Sequence, residues 1–236
     1  MIRHVLDDPA GLSVRARRFL ETRSRRNPAT VVEPPDRYYE CWNADDEPDP
    51  GPDGGLARLQ EFAARYGGMW FPGERPAPGG YEFHDTVESG WQQTDAGDWE
   101  AEVGLVEQAW PVLLSWSTGR IGVIHAENWV ATSVDNLIES SALGNEISDD
   151  DSWREAVPVD GGSWHLSGIT SDRFADHVPE VPEASSLWNR WYMDEHVAVH
   201  GWRATYDPAR FEVVLAWYRD PLGRHRLESL TGPLRP

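Results

Sequence analysis

The segment LARLQEFAARYGGMWF, residues 56–71, decides the fold class of this chain. Its apolar residues recur at helical spacing, and the last residue in this pattern is Tyr66. The Gly67-Gly68 step that follows supplies the left-handed conformation in which many helices end. Strand-like patterns come next, so the segment predicts a helix over 56–66 that leads directly into a β-sheet.

Strand patterns dominate the residues after this helix. In Trp110–Ser117 apolar and polar side chains alternate, and a short turn joins this run to residues 120–126. The pair predicts an antiparallel hairpin. Further strands are predicted over 81–87, 129–131, 196–200, 211–219 and 224–230, the last two on either side of a type I turn at 220–223.

Helical patterns occur at three further places. Ser13 is expected to cap a helix that runs to about Arg26, and Ser133 to cap one that ends at Leu143 before a glycine. A third helix is predicted over 183–193. Helices mixed with adjacent antiparallel strands indicate an α+β fold, in which helices flank a mostly antiparallel sheet, rather than a Rossmann-type fold.

The clearest break in the chain is ADDEPDPGPDGG, residues 44–55, which has three prolines, three glycines and five acids. This composition predicts a linker or an exposed loop. We therefore expect an N-terminal helix and acidic linker over 1–54, a core over 55–145 and a C-terminal extension over 146–236, all packed as one compact unit.

The charge balance excludes several classes of protein. The chain has 236 residues and a net charge of −19, and all 21 basic residues are arginine. Without lysine it has neither a P-loop nor a Schiff-base nucleophile, and the acidic balance disfavours direct nucleic-acid binding. Residues 1–30 carry +4, from seven arginines and three acids, and the remainder carries −23, from 14 arginines and 37 acids.

The location of the protein is also predicted from its composition. The single cysteine, Cys41, cannot form an intramolecular disulfide, which is typical of the reducing cytoplasm. The N-terminus lacks the apolar run of a signal peptide, and no stretch approaches the roughly 20 apolar residues of a membrane span. We therefore expect a cytoplasmic protein with no membrane partner.

The middle of the chain resembles the SUKH superfamily, the Smi/Knr-like proteins. The similarity lies in the helix with its aromatic-Gly-Gly ending at 56–71, the hairpin PVLLSWSTGRIGVIHA at 111–126 and the segment WVATSVDNLIESSAL at 129–143. It covers roughly residues 55–145. The resemblance implies a SUKH-like core with N- and C-terminal extensions.

The resemblance also implies a role, because many bacterial members of the superfamily are immunity proteins. These bind and neutralise a protein toxin, often a nuclease, and are not enzymes. Here the implied mechanism is occlusion, in which an acidic surface covers the basic substrate groove of the cognate toxin. Complementary charge would speed association, and tryptophan is a frequent anchor at such interfaces.

The sequence gives no catalytic residue, no metal site and no cofactor site. His196 and His200 are four residues apart, but the alternation around them favours a strand, and no H-E-x-x-H motif is present. Cys41 lacks the glycine- or tryptophan-framed context of a nucleophile. Neither a G-x-S-x-G elbow nor a G-x-G-x-x-G fingerprint occurs.

The candidate partner-binding residues are Asp149, Asp150, Asp151 and Trp153, where dense negative charge adjoins a large aromatic ring. The linker acids at 45–53 have a similar composition. Two alternative functions stay open on the sequence alone. One is a small hydrolase with an aromatic-lined cleft, and the other is a regulatory scaffold that binds a cellular protein.

Overall fold

A computed structural model describes residues 2–27, 39–73, 79–87, 89–107, 110–123, 129–159, 166, 169–203 and 212–235, with the backbone alone at Trp129 and Glu212. This part of the chain is an α+β protein with four α-helices and two antiparallel sheets. The α+β class agrees with the prediction from the sequence. The helices are α1 (Val14–Arg23), α2 (Gly55–Tyr66), α3 (Val134–Asp149) and α4 (Pro221–Thr231).

The strands are β1 (Arg25–Arg26), β2 (Cys41–Trp42), β3 (Pro48–Asp49), β4 (Met69–Pro72), β5 (Gly80–Phe83), β6 (Gln92–Gln93), β7 (Trp99–Val106), β8 (Trp110–Ser115), β9 (Ile121–Val123), β10 (Trp129–Ala131), β11 (Arg154–Glu155), β12 (Asn189–Met193), β13 (Val197–Arg203) and β14 (Glu212–Tyr218).

The chain divides into two compact units, Met1–Asp135 and Asn136–Pro236, here called unit 1 and unit 2. The limits predicted from the sequence, at 54/55 and 145/146, lie elsewhere. The first 54 residues contribute strands to the sheet of unit 1, because β1 pairs with β4 and β2 pairs with β6.

The sheet of unit 1 curls into a half-barrel. Its main path has the order β1-β4-β5-β7-β6-β2-β3, and β8, β9 and β10 continue from β7. All pairs are antiparallel except a single parallel bridge between Trp42 and Gln92. Aromatic rings fill its core, for example Phe71 and Tyr81, which stack with centroids 5.4 Å apart.

Helix α1 begins at its predicted cap, because the Ala16 amide donates to Ser13 Oγ at 3.1 Å. The helix ends at Arg23, three residues earlier than predicted, since Ser24 is extended and its amide donates to the Leu20 carbonyl. The next two residues pair with β4 as the edge strand β1. Helix α2 matches its predicted range and is followed by Gly68 in the left-handed region at φ +71°.

The predicted hairpin is present as β8 and β9, although residues 124–126 of the predicted second strand lie outside the described part of the chain. The short strand at 129–131 is also present as β10. Helix α3 does not end at Gly144 as predicted but continues to Asp149. The extension buries Ile147 beside Leu143 in the core of unit 2, which offsets the low helix propensity of glycine.

The sheet of unit 2 has the order β11-β14-β13-β12. One apolar cluster includes Tyr192, Val199 and Val214, with Leu227 of α4, and the other includes Trp191 and Ala198, with Leu143 of α3. Because Trp191 and Tyr192 are adjacent in sequence, the two clusters lie on opposite faces of the sheet. Both faces are therefore covered.

Two predictions for the C-terminal third are wrong. Residues 183–193 do not form a helix, because 189–193 is the strand β12, whose burial on both faces gives an apolar run without a clear period. Residues 224–230 form part of α4 rather than a strand. Asp220 caps this helix by accepting from the Gly223 amide at 2.8 Å, and Pro221 takes its first turn, so the predicted type I turn is a helix start.

Candidate functional site

The predicted partner-binding residues lie at the end of α3 and in the turn after it, where the carboxylates are exposed or partly exposed and the indole is buried. Trp153 is only 7% exposed and packs in the core cluster of unit 2 with Leu143 and Ile147. The Arg219 guanidinium lies 4.3 Å from the centre of its ring. Trp153 therefore does not offer the exposed anchor that the sequence suggested.

The three acids of this cluster lie at the surface of unit 2, and one of them pairs with an arginine. Asp150 Oδ2 accepts from Arg219 Nη2 at 2.9 Å, and hydrogen bonds from the side chain and amide of Ser152 lower the pKa of the Asp150 carboxyl. Asp149 is the last residue of α3 and has an interaction partner. Asp151 is exposed. Asp149 is exposed as well, so these carboxylates remain at the surface and only the indole is buried.

A second set of acids forms a fixed turn in unit 1, between β2 and β3. We call Asp45, Asp46, Glu47 and Asp49 the acidic turn. Asn43 organises it, because its side-chain oxygen accepts from the amides of Asp45 at 3.0 Å and Glu47 at 2.9 Å. The Asn43 amide in turn donates to the Glu47 carbonyl at 2.9 Å. This is the arrangement of an Asx turn, which asparagine favours.

The acidic turn is tied to the sheet by its neighbour β6. Gln92 Nε2 donates to the Asn43 carbonyl at 3.1 Å and to Asp46 Oδ1 at 3.3 Å. Asp46 has φ +57°, a left-handed conformation that aspartate and asparagine adopt more readily than most residues. Asp49 Oδ1 accepts from the Gly51 amide at 2.8 Å. The segment predicted as a linker is thus hydrogen-bonded to the body of unit 1.

An exposed indole accompanies the acidic turn. Trp42 is 36% exposed and immediately precedes Asn43, and its amide donates to the Trp91 carbonyl at 3.0 Å. The acids Asp45, Asp46 and Glu47 are all exposed. At the opposite end of the sheet path lies β1, whose Arg25 and Arg26 are exposed, so the strand order separates positive from negative charge across unit 1.

Two further carboxyl groups lie next to the edge of the sheet that carries the acidic turn. Glu100 is in β7, and Asp98 immediately precedes that strand. Glu100 faces Gln92 across the strand pair and is 8% exposed. Burial, and then the negative charge of Asp98, raise the pKa of Glu100 to about 7. For Asp98 burial opposes ionisation, but hydrogen bonds from Ser115 and Ser117 outweigh it and lower the pKa. The inner part of the edge is therefore less negative at neutral pH than its count of acids suggests.

Unit 1 also has a small, solvent-open cleft between α2 and the sheet, with room for about one water molecule. Its polar groups include His84 and Glu102, whose Nε2 and Oε1 atoms are 3.3 Å apart. No sequence motif pointed to this pair, because the two residues are 18 positions apart. His84 directly follows β5, and Glu102 lies in β7. Only the pairing of β5 with β7 brings them together.

The histidines singled out in the sequence do not form a metal site. His196 Nδ1 contacts Asp220 Oδ2 at 2.6 Å, which together with the weaker influence of Glu195 raises the pKa of His196. His200 is buried in β13, the strand that the alternating pattern predicted, and it donates to Asn189 Oδ1. Among the described residues no three or more His, Cys, Asp or Glu side chains are arranged to hold a metal ion.

Cys41 is buried, and its Sγ accepts from the Trp91 amide at 3.3 Å. Tyr39 lies close by, and its pKa is raised by burial and by the Cys41 side chain. The thiol thus packs inside unit 1, as expected of a cysteine without a nucleophile motif.

Comparisons with known protein families, with curated proteins and with solved structures find no match to this chain. In the part of the chain that the structure describes, no helix has both the length and the apolar character needed to cross a bilayer.

Proposed function

We propose that this protein is a non-enzymatic immunity protein that binds a protein toxin and covers its basic surface with the acidic turn of unit 1. The observation that carries the proposal is the way Asn43 and Gln92 hold Asp45, Asp46 and Glu47 in place beside an exposed Trp42. A negative surface that is ordered before binding loses little side-chain and loop entropy on association.

The secondary structure of the segments that resemble the SUKH superfamily supports the link to it. A helix with an aromatic-Gly-Gly ending, α2, leads into β4 and β5, and the β8–β9 hairpin is followed by β10 and α3. These helices and strands are the ones expected of the segments that carry the resemblance. The proposal that the core is SUKH-like rests on them and on the sequence segments at 56–71 and 129–143.

The chemistry of the acidic turn explains why the partner would be basic. Three exposed carboxylates on three consecutive residues, Asp45–Glu47, resemble the dense negative charge of a phosphate backbone. A nuclease toxin must attract such a backbone in order to bind its substrate. At physiological salt the Debye length is about 8 Å, so charges this close act together on an approaching protein. The indole of Trp42 adds the aromatic anchor that charge alone does not supply.

The hydrolase alternative has less support. The His84–Glu102 cleft has room for about one water molecule, far less than the roughly 300–1,000 Å³ of most small-molecule sites. The regulatory scaffold stays the main competitor, because it would use the same acidic turn on a partner that is not toxic.

The test is co-expression with the toxin encoded next to this gene. We expect growth to be rescued and the two proteins to co-elute on gel filtration. A triple variant, Asp45→Asn with Asp46→Asn and Glu47→Gln, should slow association several-fold at about 50 mM salt and less at about 500 mM. No rescue and no complex would refute the immunity function.

A matched control removes the same charge elsewhere. The variant Glu155→Gln with Asp176→Asn and Glu180→Gln changes three exposed acids of unit 2 and the net charge by the same amount. We expect it to leave the association rate within about twofold of the wild type. An equal loss of rate in both triple variants would mean that net charge, and not the acidic turn, attracts the partner.

A further inference from the structure

Glu100 is a carboxyl group that the fold of unit 1 leaves without a partner. It is 8% exposed, and its side chain forms neither a hydrogen bond nor an ion pair with any of the residues that the structure describes. Asp98, two residues earlier, differs, because its carboxylate accepts from the hydroxyl groups of Ser115 and Ser117, each at 2.8 Å. An ionised carboxylate that is withdrawn from water without such donors is costly in the folded state.

The charges around Glu100 do not compensate for this cost. Its neighbours along the chain are Asp98, whose charge acts on it, and Glu102, which pairs with the histidine after β5. Its cross-strand neighbours are uncharged, namely Gln92 in β6 and a serine in β8. Beyond Gln92 lies Asp46, which accepts from Gln92 Nε2 at 3.3 Å. In the described part of the chain, no arginine or histidine therefore offsets the charge of an ionised Glu100.

The strand β6 is the weaker of the two strands that pair with β7 at Glu100. It has only two residues, Gln92 and Gln93, and it joins β7 through two residue pairs and β2 through one. On the other side, β8 has six residues and pairs with both β7 and β9. Elements with so few contacts open locally at a lower free energy than the centre of a sheet. An ionised Glu100 is therefore hydrated most easily by an opening of β6.

An opening of β6 also affects the acidic turn, because Gln92 belongs to both. Its backbone pairs with Glu100, and its side chain donates to the Asn43 carbonyl at 3.1 Å and to Asp46 Oδ1. In the strand order, β2 and β3, which flank the turn, join β7 through β6. When Gln92 leaves β7, the turn loses its connection to the long strands of the sheet.

We propose that Glu100 is a proton-dependent switch, which keeps β6 and the acidic turn closed on β7 when protonated and favours a locally open form when ionised. The neutral carboxyl tolerates its buried position, whereas the carboxylate is stabilised by the water that the opening admits. Burial and the charge of Asp98 raise the pKa of Glu100 to about 7, so the switch acts between pH 6 and pH 8. It is a property of the free chain and does not depend on what the acidic turn binds.

The experiment is amide hydrogen exchange of the full chain at pH 6 and pH 8, with rates divided by those of an unstructured peptide at the same pH. The reporters are the amides of Thr94 and Asn43, which donate to the carbonyls of Asp98 at 2.8 Å and Glu47 at 2.9 Å. We expect protection of both to fall about tenfold from pH 6 to pH 8. The reason is that the Glu100 carboxyl has a pKa near 4.5 when hydrated and about 7 in the closed form.

Two variants with the same change of charge identify the group responsible. In Glu100→Gln, protection of the two reporters should change by less than about twofold between the two pH values and exceed that of the wild type at pH 8 at least about tenfold. Glu61→Gln, at an exposed acid of α2, should keep the tenfold fall. The same fall in Glu100→Gln as in the wild type would overturn the proposal, because another group would then carry the pH dependence.

A third amide distinguishes local opening from unfolding of the whole unit. The Gly68 amide donates to the Phe83 carbonyl at 2.9 Å, at the start of β4 and away from β6. We expect it to stay at least about tenfold more protected than Thr94 and Asn43 at pH 8. Equal protection of all three amides would overturn the proposal, because the whole unit would then open together.

The outcomes also separate this inference from the proposed function. If protection falls as expected but the neighbouring toxin forms no complex, the switch stands and the immunity function fails. If the toxin complex forms and protection of the two reporters does not depend on pH, the immunity function stands and the switch fails.

Discussion

The buried histidine of unit 2 gives the sharpest prediction, namely that His200 destabilises the fold as the pH falls. His200 is 2% exposed, its ring stacks on Trp191 with centroids 4.1 Å apart, and it donates to the neutral amide oxygen of Asn189. Asn189 and Trp191 in turn both donate to Ser140 Oγ, at 2.6 Å and 2.8 Å. This network has no carboxylate to compensate a charged imidazole.

The size of the effect follows from the shift in pKa. Burial lowers the pKa of His200 from 6.5 to about 3. Since the unfolded chain takes up the proton first, the free energy of unfolding is unaffected well above pH 6.5 and decreases as the pH falls from there toward 3. Between pH 7 and pH 4 the loss is about 3 kcal/mol, because each pKa unit corresponds to about 1.4 kcal/mol.

The assay is urea unfolding at pH 7 and pH 4, compared between the wild type and His200→Gln. The variant cannot be protonated, so its loss of stability over this interval should be smaller than that of the wild type by about 3 kcal/mol. His225→Gln, at an exposed position on α4, is the control and should match the wild type. Equal losses in wild type and His200→Gln would refute the reasoning.

A spectroscopic measurement keeps the prediction testable if His200→Gln does not fold. The ring carbon and proton shifts of His200 in the folded wild type should stay those of a neutral imidazole down to about pH 4. A midpoint near 6.5 for His200 in the folded state would contradict its burial in this network.

Three other substitutions probe the rest of the structure. Glu100→Gln should raise the free energy of unfolding by about 3 kcal/mol at pH 8 and by less than about 1 kcal/mol at pH 5. The reason is that the raised pKa of Glu100 makes its ionised form costly in the folded state only at high pH. Urea unfolding at both pH values checks this. Asp220→Ala should lower the free energy of unfolding by about 1–2 kcal/mol through loss of the α4 cap, and Asp220→Asn by clearly less, in the same assay. Asn43→Ala should speed amide hydrogen exchange at Asp45 and Glu47 by at least about fivefold, since both amides lose their acceptor, while Asn145→Ala on α3 should not.

Local signals in the sequence predicted several elements because those elements are stabilised by near neighbours. The spacing of apolar residues and the glycine step defined α2, and Ser13 marked the start of α1. The α4 helix was available from the same kind of signal. Asp220 followed by Pro221 is a cap with proline in the first turn, and Leu227 and Leu230 are three residues apart, as on one helix face.

The strand β12 could not be recognised locally. Its residues Trp191 and Tyr192 are buried on opposite faces of a covered sheet, so the apolar pattern has no period of two. The surroundings of the predicted partner-binding residues at 149–153 could not be recognised locally either. Nothing near Trp153 in the sequence shows that Arg219, 66 positions later, covers its ring.

What the sequence by itself determined is the α+β class, the absence of lysine and the placement of charge, with an excess of arginine in the first 30 residues and of acids in the rest. Tertiary structure alone decided the surroundings of each of those acids. Asp150 pairs with Arg219, 69 positions later in the chain, whereas the exposed Asp45 and Glu47 are held in place by Asn43 and by the pairing of β2 with β6. The physical reason is that burial and ion pairing depend on groups that only the folded chain brings together, while composition fixes just the total charge.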